Sequence, residues 1–136
     1  MQTSKRISIK EESDRILNNI KSIRKNFNIP ISIDTMKSKI ADSCLNEGAD
    51  IINDVTSYQF DEEMPLTIAR HKAAVILNHT SDLPHKMQSK TKYKNLIMDV
   101  KNHLKKQVQK SIDLGVSSKS IVIDPGIGFG KTTKQN

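Results

Sequence analysis

The order in which two hydrophobic periods alternate along this chain constrains its fold more than any other feature. Ile16, Leu17, Ile20, Ile23 and Phe27 recur at helical spacing on one face, behind a capping-box pattern at Ser8 and Glu11. A short apolar run, Ile31 to Asp34, follows Pro30. The exchange then repeats. Met36, Ile40 and Cys44, with Ala41 and Leu45 beside them, form a helical row that Gly48 stops, and "ADIIND" follows as a strand. A short helix over Glu62 to His71 leads into "AAVILNHT", and a polar loop from Ser81 to Thr91 comes next. The longest row, Leu96, Val100, Leu104, Val108 and Ile112 with Tyr93 and Ile97 alongside, is closed by Gly115 and followed by "SIVID". Strands separated by helices run parallel, because each crossover returns the chain to the same end of the sheet. The expected class is α/β, a single domain over residues 1–136 with about four parallel strands alternating with four helices.

Composition narrows the partners. The net charge is +7, but the lysines are spread along every predicted helix and aromatics make up only 4%. A basic surface or a pocket for an anionic small molecule therefore fits as well as nucleic acid does. No apolar run reaches the roughly 20 residues of a membrane span, and the first residues carry no apolar signal segment. The one cysteine, Cys44, lies on an apolar face, so it reads as a buried thiol in a reducing compartment. The reading is a cytoplasmic protein without nucleic acid or membrane.

The segment "IVIDPGIGFGKTT", Ile121 to Thr133, resembles a phosphate loop but fails its spacing. Counting back from Gly130-Lys131-Thr132, the first glycine of a nucleotide-binding loop falls on Pro125, which has no N–H to donate. The dinucleotide pattern fails at Lys131, where its third glycine belongs. More telling is where the strands end. Each is apolar until its last residue or two and then stops on a binding group: Asp34, Asn53 with Asp54, Asn78 with His79, and Asp124. Parallel α/β folds bind ligands at these carboxyl ends. Singly, Asp34 could cap a helix beginning near Thr35, and Asn53-Asp54 or Asp124-Pro125 could open a turn. Together they would build one polar rim. His79 reads as a hydrogen-bonded structural histidine, and His71, His85 and His103 lack the spacing of metal ligands. A carboxylate accepts two parallel bonds from a planar donor pair, and an asparagine both donates and accepts. An aminopyrimidinone edge, as in a pterin or a guanine, meets both requirements.

The motifs "ISIDT", "GADIINDV", "LNHT", "PHKMQ" and "IVIDPGIGFGKT", in this order and spacing, are similar to those of the dihydropteroate synthase family. The resemblance runs from about Ile9 to Asn136. It implies a (β/α)8 TIM barrel in which 4-aminobenzoate condenses with the diphosphate of 6-hydroxymethyl-7,8-dihydropterin. The products are 7,8-dihydropteroate and pyrophosphate. It also implies Mg2+ as an aid to the diphosphate and a homodimer for the full-length family. Carried over by motif, Asp34, Asn53 and Asp124 hold the pterin edge, with Asp34 and Asp124 as the catalytic pair. Phe129 lies towards the aminobenzoate site, and Lys131 sits in the loop near the rim as a substrate-binding candidate.

Departures from the family pattern set further expectations. A full barrel needs about 250 residues and eight strands, so the chain is expected to be a partial barrel, an internal fragment lacking the first two and last two strands. The family's metal-binding Asn, its Ser-x-Arg-Pro-Gly loop and its later Ser-Arg-Lys and Arg-x-His motifs are not found here. Where relatives have Met-His-Met, this sequence has Asn78-His79-Thr80, a more polar wall. Poor stability and no synthase activity are expected of the isolated chain. Two rival readings stay open: a pterin-binding barrel of the methyltetrahydrofolate methyltransferase type, which the last motif disfavours, and a non-catalytic α/β binding module.

Overall fold

The computed structural model describes residues 9–81 and 93–136. Ser8 of the capping box, His85 and most of the Ser81–Thr91 loop, including "PHKMQ", lie outside them. Four helices and four strands alternate: α1 (Ile9–Asn26), β1 (Ser32–Asp34), α2 (Ser38–Asn46), β2 (Ile51–Asp54), α3 (Met64–His71), β3 (Ala74–Asn78), α4 (Leu96–Asp113) and β4 (Ile121–Asp124). The strands form one parallel sheet in the order β1-β2-β3-β4, as the alternation of periods requires.

The helices pack on one face of the sheet. Ile33, Ile52, Val75 and Leu77 point towards them and join Ile20, Ile40, Cys44, Met64 and Ile68 in the core. At about 25 cal/mol per Å² of apolar surface, this layer is the main force holding the sheet. Polar ties fix the helix positions. Arg24 of α1 donates from Nε to the Gly48 carbonyl (3.0 Å) and from Nη2 to Asp50 (2.6 Å). The same Asp50 carboxylate accepts the Ile31 amide, so one ion pair joins α1 to the starts of two strands.

Several residues depart from the expected helical rows: Met36 precedes α2 and Tyr93 precedes α4. Phe27 is the residue after α1 and is 60% exposed, while Ile97 and Ile112 stand open to solvent on α4. Helix α2 also starts three residues later than Thr35. Lys37 is its cap residue and makes no side-chain capping bond, while Asp61 accepts the Ser38 amide from across the fold. Asp34 is therefore not a helix cap.

Candidate functional site

Strand register decides which side chains can meet. Parallel pairing aligns Asp34 with Asn53, Asn53 with Ile76, and Asn78 with Asp124. Asn78 lies two residues beyond Ile76, so Asp34, Asn53, Asn78 and Asp124 all leave the sheet on one side. This is the side away from the helices, at the carboxyl ends of the strands.

Three of the four are joined. Asn78 donates from Nδ2 to Oδ1 of Asn53 (2.7 Å), and Asn53 donates from Nδ2 to Oδ1 of Asp34 (2.8 Å). The direction of this chain is forced, because an ionised carboxylate only accepts. Asn53 must give its amino group to Asp34, so its oxygen faces Asn78. The remaining lone pairs and N–H of the relay form a fixed row of acceptors and donors across three strands. Asp124 stands on the same face beside Asn78. Its Oδ1 accepts the Gly126 amide at 2.6 Å, and the His79 amide donates to its backbone carbonyl at 2.9 Å. The rim thus carries two carboxylates separated by two amides.

Asp54 belongs elsewhere. One residue past Asn53, it points to the helix side and is fully buried. Its carboxylate accepts the Thr56 amide (2.9 Å), the Thr56 hydroxyl (2.7 Å) and the Tyr58 amide (2.8 Å), and burial raises its pKa. These bonds hold a turn in which Ser57 and Tyr58 both take positive φ, 46° and 68°. The turn serves the rim indirectly: Ser57 Oγ donates to the Asn78 carbonyl at 2.6 Å. The buried Tyr58 hydroxyl, pushed up to about 12, meets Ser111 of α4 at 2.8 Å.

The loop after β4 is built around Lys131. Its ammonium is turned inward, against the carbonyls of Gly126 (2.9 Å) and Phe129 (3.2 Å) and Nδ1 of His79 (3.1 Å). Burial lowers its pKa, partly offset by the charge of Asp124. Phe129 is half-buried in the same loop, its amide donating to the Gly126 carbonyl. His79 is pushed down to about 4, first by burial and then by the charges of Lys131 and His103. Its ring packs edge-on to His103 at 5.1 Å and lies 5.9 Å from Tyr93, whose hydroxyl donates to the Gly130 carbonyl.

A parallel α/β sheet with its ligand groups gathered at the strand carboxyl ends defines a class, that of the barrel and barrel-like enzymes that bind small molecules at this rim. Within that class the chain belongs to the pterin binding enzyme family, whose model matches residues 1–136. It is 40% identical over 130 residues to the dihydropteroate synthase of Clostridium beijerinckii, covering 96% of this chain and 46% of that relative. Among solved structures it is similar to the dihydropteroate synthase of Clostridium difficile determined in the presence of pteroic acid (TM-score 0.89, 32% identity, 97% of this chain and 48% of that one). It is also similar to the Thermus thermophilus enzyme in complex with 4-aminobenzoate (TM-score 0.88, 32% identity, 99% and 51%). The chain thus spans about half the length of the relatives it matches, and its four-stranded sheet is part of a TIM barrel.

Proposed function

We propose that this chain carries the pterin-holding part of a dihydropteroate synthase. The observation that carries the reading is the forced hydrogen-bond row from Asn78 through Asn53 to Asp34, with Asp124 on the same face. A pterin edge offers a ring N–H beside an exocyclic amino group, which a carboxylate accepts as a parallel pair. Asp124 can still accept that pair, through Oδ2 and the second lone pair of Oδ1, the first being taken by the Gly126 amide. Asn53 has one N–H and one lone pair left, matching a ring nitrogen next to an amino group. Phe129 faces the aminobenzoate, as in the family reading.

In the reaction the bond between the pterin methylene carbon and the diphosphate oxygen breaks, and the aminobenzoate amine forms the new C–N bond and loses a proton. Positive charge developing on the dihydropterin is stabilised by the carboxylates of Asp34 and Asp124. Mg2+ bound with the diphosphate would supply charge neutralisation for the departing pyrophosphate. Among the described residues no three His, Cys, Asp or Glu side chains gather to hold an ion. A homodimeric full-length enzyme in the cytoplasm, with small-molecule substrates and neither nucleic acid nor membrane, completes the reading. Among the described residues no helix is long and apolar enough to cross a membrane.

Calorimetric titration with 6-hydroxymethyl-7,8-dihydropterin diphosphate tests the proposal. Asp124→Asn turns an acceptor into a donor against the pterin donors, and an affinity loss of about a hundredfold or more is expected. Wild-type binding that this substitution leaves unchanged contradicts the site. Pyrophosphate release by the chain alone is expected to be absent, because the family motifs that handle diphosphate and aminobenzoate are not in this sequence.

A further inference from the structure

A lysine that follows a glycine-rich loop invites assignment to a phosphate, but the surroundings of Lys131 argue for another role. An ammonium group has three protons. Gly126 O, Phe129 O and His79 Nδ1 take all three at 2.9, 3.2 and 3.1 Å, and the His79 carbonyl is a fourth, longer neighbour at 3.5 Å. The residue is only 9% exposed. No donor is left for an anion on the rim.

His79 is the other half of the arrangement. A lysine ammonium only donates, so Nδ1 of His79 must be bare and the ring proton must sit on Nε2. Its amide donates to the Asp124 carbonyl, and its own carbonyl lies so close to Gly126 that a Cβ built there would stand 1.9 Å from it. Three contacts from one residue at the end of β3 therefore sew down the loop that follows β4. We propose that Lys131 is a positioning residue: an internal cation that, with His79 as its neutral acceptor, folds residues 125–130 onto β3 and so sets Asp124 and Phe129 for their ligand. Only the identity of that ligand rests on the pterin reading; the fastening of the loop does not. The charged and titratable groups around the His79 ring are Lys131 and Asp124 on the β4 side, His103 and Asp99 of α4, and Tyr93.

The first test needs no ligand. Nitrogen-15 spectra of histidine-labelled protein should show His79 protonated only on Nε2 and unchanged between pH 7 and pH 5. A ring proton on Nδ1, or titration near the ordinary histidine value of about 6.5, overturns the proposal. Lys131→Met and His79→Leu should speed amide exchange at Gly126 and Phe129 roughly ten- to a hundredfold, the loss of a charge-assisted bond. His79→Asn, which keeps an oxygen acceptor near Nδ1, should restore most of the protection, and unchanged exchange in all three variants overturns the proposal. The second test titrates 6-hydroxymethylpterin into the same proteins. Lys131→Met and His79→Leu should weaken binding where His79→Asn does not, and equal affinities across the set refute the positioning role. If the wild type binds no pterin while the exchange pattern holds, the pterin reading fails and the loop fastening stands.

Discussion

Asn53 and Asp54 are neighbours with nearly the same side-chain shape, and the two-residue period of a strand puts them to opposite uses. Asn53 joins the hydrogen-bond row on the open face. Asp54 is buried under three donors on the other. Asp54→Ala should leave those donors unsatisfied in a buried region. A destabilisation of about 2–4 kcal/mol is expected, read as a lower urea midpoint at unchanged slope. A shift under about 0.5 kcal/mol would show that the turn holds without the carboxylate. The sequence made the strand-end polar residues legible, but not which of an adjacent pair faces the rim. That choice depends on pairing register, and "INDV" read alone permits both. Asn78 was visible as a departure from the family pattern. Its role in orienting Asn53 was not, because the hydrogen bond joins residues 25 apart in the chain. Nor does any local signal reveal that Lys131 gives its protons to its own loop and to His79.

At the level of elements, the glycines of the loop after β4 separate two costs that are usually confounded. Gly126 and Gly128 both have positive φ, 69° and 82°. A Cβ on Gly126 would collide with the His79 carbonyl, whereas one on Gly128 would meet nothing within 4 Å. Gly128→Ala should therefore cost only the left-handed backbone penalty, about 1–2 kcal/mol. Gly126→Ala adds displacement of the loop from β3 and should cost several kcal/mol and pterin affinity with it. Thermal melts of the two variants check the difference, and equal shifts in Tm would refute the close approach. Helix and strand order was readable because each period is sustained over several turns or a whole strand. Coverage was not. Periodicity marks Ile97 and Ile112 as apolar but says nothing of what lies against them, and both remain exposed.

Considered whole, the molecule leaves apolar surface on both sides of β4. On the helix side Ile123, Pro125 and Ile127 line a groove of about 610 Å³ with Leu96, Ile97 and Val100 of α4. On the rim side Val122 is 54% exposed. An open edge strand of this kind is a template for pairing with another chain. The isolated chain is expected to self-associate as concentration rises, despite its net charge of +7. Val122→Lys, a charge on the open face of the edge strand, should raise the monomer fraction in sedimentation velocity. A wild-type chain that stays monomeric at high micromolar concentration would contradict this. The expectation of a partial barrel came from counting strands against the family's eight. Which side chains that leaves bare could be seen only once the register was known.

Spatial order in the sheet repeats chain order, β1-β2-β3-β4. From β2 onward each strand therefore finds a neighbour among residues already made, and only β1 waits for the strand that follows it. On a ribosome the sheet can grow by one strand and one covering helix at a time, the newest strand always lying at its edge.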